Sequence, residues 1–261
     1  MARLSLLDGS TPFEATLLES PNPHRLALFA VGGGGNPERH LPLLTALAAQ
    51  GITVIAPHYE RLLSPNISEP DLLLRARRLR LALDAVAHAQ SPVIGVGHSI
   101  GTTILLAMAG AQAWLGPGRP LPIPYDERLQ RLILLTPATG FFRAPAALDG
   151  VRISIQAWAG TKDTVTPPSQ AQFLQQSLPI ELHIEEGANH FSFMHLPPPH
   201  VEETLPDRDA FLDRLTAAVV RFATADPPLR KTQSHHSKII PNPFIPIHKQ
   251  PLSPPPGKPE N

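Results

Sequence analysis

The pentapeptide Gly97-His98-Ser99-Ile100-Gly101 follows directly on the apolar run Val93-Ile94-Gly95-Val96 and precedes a helix-prone stretch at 102–111. A serine between a short strand and a helix, with glycine two residues to either side, has the form of a nucleophile elbow. The turn is so tight that the serine takes a strained backbone conformation, and only residues nearly free of side chain fit at the flanking positions. Such a turn lifts the hydroxyl above a sheet and aims the N–H of the next residue, Ile100, at the atom the hydroxyl would attack. The pattern alone is short enough to arise by chance as a small-residue turn. What discriminates is its setting between a buried-strand pattern and the apolar helical run Ile104-Leu105-Leu106-Ala107-Met108-Ala109.

The rest of the chain supplies a sheet for that turn to sit on. Strand-like runs at 26–31, 52–56, 93–96, 131–135, 153–157 and 180–185 alternate with helical patterns at 41–50, 71–90, 102–111, 169–177 and 209–223. The runs 4–7 and 14–18, joined through Asp8-Gly9-Ser10, predict an antiparallel hairpin at the sheet edge. The expectation is an α/β fold: a doubly wound, mostly parallel sheet with an antiparallel N-terminal edge hairpin. The gap from 135 to 153 is too short for a large cap domain. With no linker-like interior, residues 1–225 form one domain, and 226–261, with ten prolines from Pro227 to Pro259, form a disordered tail. His235 and His236 in that tail have no carboxylate or third ligand nearby and make a poor metal site.

Charge narrows the function by exclusion. Lysine plus arginine equals aspartate plus glutamate at 22 each, so no overall field favours nucleic acid. Arg75, Arg77, Arg78 and Arg80 alternate with leucines at close to helical period and lack interleaved aromatics, which predicts a solvated helix face. There is no cysteine, which excludes disulfides, thiolate nucleophiles and thiolate metal sites. The first apolar stretch is stopped at Asp8, too short for a signal-peptide core, and no run approaches the roughly 18 apolar residues of a membrane span. The expectation is a cytoplasmic protein that needs no cofactor or metal.

A serine hydroxyl is a weak nucleophile at neutral pH. It needs a histidine to take its proton and a carboxylate to hold that histidine in the right tautomer, in the chain order serine, acid, histidine for this kind of sheet. Asp163 follows the apolar run Ile153-Ser154-Ile155-Gln156-Ala157-Trp158, in a loop leading into a helix, on the strand after next from the serine. Glu186 is the rival acid, but it lies on the histidine's own strand, four residues before His190. His190, in Gly187-Ala188-Asn189-His190-Phe191, lies beyond the last strand and is the best base among twelve histidines. His98 is expected to pack beneath the turn, and His195 and His200 flank a proline loop with no assigned chemistry. The oxyanion hole needs two backbone donors. Ile100 supplies one. Gly33, in Gly32-Gly33-Gly34-Gly35-Asn36 after the 26–31 strand, supplies the other. That glycine run lacks both the lysine of a P-loop and the spacing of a dinucleotide fingerprint.

Together these residues resemble the α/β-hydrolase superfamily over about residues 1–225. More narrowly, the elbow with Ala109-Gly110-Ala111, and His190-Phe191-Ser192-Phe193-Met194, is similar to the serine-dependent group labelled predicted dienelactone hydrolases, related to platelet-activating-factor acetylhydrolases. The sequence departs from common superfamily patterns at Val31, where many members carry histidine, and at Thr102, where a further glycine is frequent. The reading implies a serine hydrolase that cleaves a carboxylic ester of small or medium acyl chain through an acyl-enzyme, with 138–142 and 191–194 lining an apolar acyl pocket. A thioesterase, peptidase or acyltransferase using the same trio, or a non-catalytic ligand-binding module, are the alternatives. Oligomeric state is not legible.

Overall fold

The computed structural model describes residues 1–64, 66–87 and 92–225. The proline-rich tail expected from 226 onward, with His235 and His236, lies outside them. Among the described residues no helix is long and apolar enough to cross a membrane.

In chain order the elements are β1 (Ala2–Asp8), β2 (Thr11–Leu18), β3 (Arg25–Ala30), α1 (Leu41–Ala49), β4 (Ile52–Pro57), α2 (Glu69–Val86), β5 (Val93–His98) and α3 (Ile100–Met108). They continue with β6 (Trp114–Gly116), β7 (Arg119–Pro120), β8 (Leu129–Leu135), β9 (Ser154–Gly160), α4 (Pro168–Ser177), β10 (Ile180–Glu185) and α5 (Arg208–Thr224). Eight strands form one sheet in the order β1-β2-β4-β3-β5-β8-β9-β10. β1 pairs antiparallel with β2, and β2 with β4, whereas every pair from β4 to β10 is parallel. The expected edge hairpin and parallel sheet are therefore what the chain forms.

The sheet divides the core in two because side chains alternate along each strand. Leu26, Leu28 and Ala30 of β3 and Leu132 and Leu134 of β8 join Leu72, Leu79 and Leu83 of α2 and Leu105 of α3 on one face. Ala27 and Phe29, with Ile133 and Leu135, join Leu43, Leu44 and Leu47 of α1 and Phe211, Leu215 and Val219 of α5 on the other. Each fully buried leucine contributes about 1.5–3 kcal/mol. Strands covered on both sides read as continuous apolar runs, which is why they are visible in the sequence.

Three expectations need correction. First, α2 starts two residues earlier than its leucine pattern suggests, since the Ser68 hydroxyl caps the Asp71 N–H at 3.2 Å, and it ends at Val86. Second, the short β6–β7 hairpin between α3 and β8 has no counterpart among the strand-like runs. Third, the basic face of α2 is not uniformly solvated. Arg77 and Arg78 pair with Asp8 at the surface, but Arg75 is 2% exposed. It stands three residues after Leu72 and four before Leu79, on the core-facing stripe, and its charge is met by the carbonyls of Gly32 at 3.1 Å and Glu60 at 3.0 Å. The guanidinium also lies over the Tyr59 ring, 4.6 Å from its centre. The segment 136–153 holds only a short 3-10 turn, Gly140–Phe142, and no inserted cap.

Candidate active site

Ser99 joins β5 directly to α3 with φ 53° and ψ −126°, a conformation that costs a non-glycine residue about 1–3 kcal/mol. The neighbours explain the flanking glycines. A Cβ on Gly101 would stand 2.1 Å from the Ala30 carbonyl oxygen, and one on Gly97 would stand 2.9 Å from a Leu105 methyl and 3.1 Å from the Thr102 nitrogen. The turn is held from both sides. The Ser99 N–H donates to Leu135 at 3.0 Å, and the Ser99 carbonyl accepts from the Thr102 N–H at 2.9 Å and the Thr102 hydroxyl at 2.6 Å. The same hydroxyl accepts from the Ala138 N–H at 3.0 Å, so Thr102, where glycine is frequent elsewhere, ties the elbow to the loop after β8.

Because β3, β5, β9 and β10 run parallel, the segments that follow them gather at one sheet edge. Asp163 follows β9 and His190 follows β10, and both are buried. His190 Nδ1–H donates to Asp163 Oδ2 at 2.8 Å. The other carboxylate oxygen accepts the N–H groups of Val165 and Thr166, each at 2.8 Å. The Thr166 hydroxyl lies 2.9 Å from Oδ2, 3.1 Å from His190 Nδ1 and 3.2 Å from the Thr136 carbonyl. With its proton on Nδ1, the ring keeps a lone pair on Nε2. Glu186, the rival acid, takes no part in this contact.

Ser99 and His190 are walls of one cavity of about 430 Å³, shared with Gly33, Leu62, Val165, Phe191 and Met194. Among the described residues no hydrogen bond joins the Ser99 hydroxyl to His190; such contacts are commonly loose in sites without substrate. Gly33 accepts from the Leu62 N–H at 2.8 Å, while its own N–H has no partner among the described residues. Ile100 is buried at the first turn of α3, where N–H groups have no partner within the helix. The glycine loop touches the elbow most closely at Gly32, where a Cβ would meet His98 Nδ1 at 2.8 Å and Ser99 Cβ at 3.3 Å. Arg75, by holding the Gly32 carbonyl, fixes that approach.

One expected wall is absent. Phe191 and Met194 line the cavity, but 138–142 do not: Phe142 is in the core, Phe141 faces a separate surface groove beside the start of α2, and Ala138 is fastened by Thr102 and Thr103. Apolar composition identified those residues as buried without showing which cavity they adjoin.

His98, expected beneath the turn, is buried among the residues that line the Ser99 cavity, and it reaches His190. Its Nε2–H donates to the His190 carbonyl at 3.1 Å, and its ring lies 5.0 Å from the His190 ring and 5.1 Å from that of His40. Burial, then His190 and His40, hold the His98 pKa well below the ordinary value. Burial, with His195 and Arg39 nearby, pushes His40 from 6.5 to about 3. An unfolded chain therefore takes up protons below pH 6.5 that the folded one refuses. The contribution is fully present above 6.5 and is lost as pH falls toward about 3, at up to about 1.4 kcal/mol per pH unit for each such histidine. Urea titrations between pH 7 and 5 are expected to show that loss, and His40→Gln to make it shallower; parallel slopes for the two proteins would remove His40 as a source.

No family model matches the sequence, and no curated protein does. Solved structures do match. An α/β serine hydrolase homologue from Coxiella burnetii is 18% identical, with 85% of this chain and 96% of that chain covered and a TM-score of 0.59. An esterase from Thermogutta terrifontis is 16% identical over 83% of this chain and 90% of that one, at 0.59. A dienelactone hydrolase from Anabaena variabilis is 19% identical over 85% and 94%, at 0.58. Identities this low with coverage this complete describe a shared architecture, and that architecture, with its serine turn at the end of a central parallel strand, is the α/β-hydrolase fold.

Proposed function

We propose that the chain is a serine hydrolase acting on carboxylic esters of small or medium acyl chain. The observation that carries this reading is the buried Asp163–His190 pair opening onto the same cavity as a serine in a strained strand-to-helix turn. His190 Nε2 takes the Ser99 proton as the oxygen adds to the acyl carbonyl, and the N–H groups of Gly33 and Ile100 receive the developing oxyanion. The proton then passes from Nε2 to the leaving alcohol, and an acyl-enzyme remains. Water, deprotonated by the same nitrogen, releases the acid and restores Ser99. Asp163 keeps the ring oriented and stabilises the imidazolium formed in each half.

The apolar walls Leu62, Val165, Phe191 and Met194 and a volume of about 430 Å³ suit a short acyl group better than a long one. The Thermogutta terrifontis esterase has structures with propionate and with butyrate bound, which supports the same class here.

The test is covalent. A fluorophosphonate probe is expected to label the wild-type protein on the peptide containing Ser99 and to leave Ser99→Ala unlabelled, with acetyl and butyryl esters hydrolysed faster than octanoyl ones. An unlabelled wild type, or equal labelling of both proteins, rejects the assignment. Amide cleavage, or transfer to an alcohol, exceeding ester hydrolysis would move the function to a peptidase or acyltransferase.

A further inference from the structure

Seven large apolar side chains are strongly exposed among the described residues, and three of them stand on the segments that wall the Ser99 cavity. Leu63, 92% exposed, follows the cavity residues Arg61 and Leu62. Leu196, 61% exposed, is fastened to the cavity residue Arg39 by two bonds: its N–H donates to the Arg39 carbonyl at 3.0 Å, and Arg39 Nη1 donates to its carbonyl at 2.9 Å. Val165, 55% exposed, lines the cavity itself beside the Asp163 turn. Three separate segments that contribute to or adjoin the cavity wall thus each carry an exposed apolar side chain. Scattered single leucines on a surface need no explanation, but three exposed apolar side chains on the segments of one cavity wall do.

The charges at the same mouth have one sign. Arg39 and Arg61 line the cavity, His200 stands with them, and among the described residues no aspartate or glutamate lines it. Neither arginine has a carboxylate partner among the described residues. Asp163 is buried behind His190, and Glu38, beside Arg39, is taken by Arg3. Glu60, next to Arg61, is the nearest acid in sequence, and it too is outside the cavity wall. The chain as a whole is neutral, so attraction of an anionic partner to this rim rests on the local charge of Arg39 and Arg61.

The geometry points to an interfacial docking rim: Leu63, Leu196 and Val165 enter the acyl layer of an anionic lipid surface while Arg39 and Arg61 meet its phosphates, which sets the cavity against the membrane. Exposed apolar side chains and arginines without carboxylate partners on the same segments supply the two contacts a lipid interface offers, acyl chains for the one and phosphates for the other. A second copy of this chain would bring the same arginines against themselves across a two-fold axis, which disfavours it. Docking does not depend on the serine chemistry, so it survives or fails separately from the hydrolase reading.

Flotation of the full chain with vesicles tests it. Wild type is expected to float with phosphatidylcholine vesicles containing phosphatidylglycerol, at least about tenfold more than with phosphatidylcholine alone, and less in high salt. The double variant Leu63→Glu/Leu196→Glu, at two exposed positions outside the cavity wall, is expected to lose at least about tenfold in flotation. Its hydrolysis of a water-soluble short ester should stay within about twofold of wild type, which also shows that it is folded. Ser99→Ala should float as wild type does, whatever its activity. The proposal is overturned if wild type does not float with the anionic vesicles, if it floats equally with neutral ones, or if the double variant floats undiminished. The last result would assign lipid binding elsewhere, for instance to the basic residues of 226–261. A wild-type dimer that the double variant disperses, without vesicle binding, would make the rim a contact between copies and overturn it as well.

Discussion

Ser99→Ala is expected to leave about one part in 10⁶ of the wild-type kcat on a short ester, a loss of about 8 kcal/mol of transition-state stabilisation. The size reflects the hydroxyl's part in the proposed scheme. Without it there is no acyl-enzyme, and the N–H groups of Gly33 and Ile100 can only polarise a carbonyl for direct attack by water. In that scheme Ser99 and His190 act as one unit, so a Ser99→Ala/His190→Ala double variant is expected to be no slower than the serine variant alone. Stability should barely change. Alanine retains a Cβ at φ 53°, so the strain of the turn stays, and the bonds holding it run through the backbone to Leu135 and Thr102. A variant that keeps a tenth of the wild-type rate at unchanged stability would show that another group is the nucleophile.

The elbow is legible in the sequence because its requirement is steric and local. Gly97 and Gly101 face neighbours a few residues away or on the adjoining strand: a Cβ at Gly101 would collide with the Ala30 carbonyl, and one at Gly97 would crowd Leu105 and the backbone of Thr102. The strand ends that carry Asp163 and His190 are legible for a different reason: a sheet buried on both faces writes its strands as apolar runs, and parallel connections bring the loops beyond those strands to one edge. The features that escape depend on contacts with no sequence signature. Thr166 touches Asp163, His190 and Thr136 at once, Thr102 joins two loops, and nothing around either threonine in the chain announces those partners. Arg75 is a different failure. Its spacing from Leu72 and Leu79 places it on the apolar stripe, but its charge suggests the solvated face, and two carbonyls supplied by distant loops make the buried position tolerable. The misplacement of 138–142 has the same origin as the success with the strands, since hydrophobicity reports burial and not which space a side chain borders.

Asp163→Asn is expected to lower kcat/KM by about 10⁴-fold while leaving the fold and its thermal midpoint nearly unchanged. The hydrogen bonds around the carboxylate say why so small a change has so large an effect. Oδ1 accepts the N–H groups of Val165 and Thr166, so the oxygen of an asparagine amide is forced to that side and its NH2 group faces His190. An NH2 there is a donor where the imidazole needs an acceptor. The ring then presents the Nδ1 lone pair to the amide and carries its proton on Nε2, the nitrogen that in the proposed scheme must be free to take a proton from Ser99. Shape, burial and packing are conserved; the tautomer is inverted and the charge that steadies the imidazolium is gone. A ¹⁵N spectrum of the imidazole would read the tautomer directly, with the proton on Nδ1 in the wild type and on Nε2 in the variant. If the tautomer inverts and the rate falls by less than about tenfold, His190 does not serve as the base, whatever orients it.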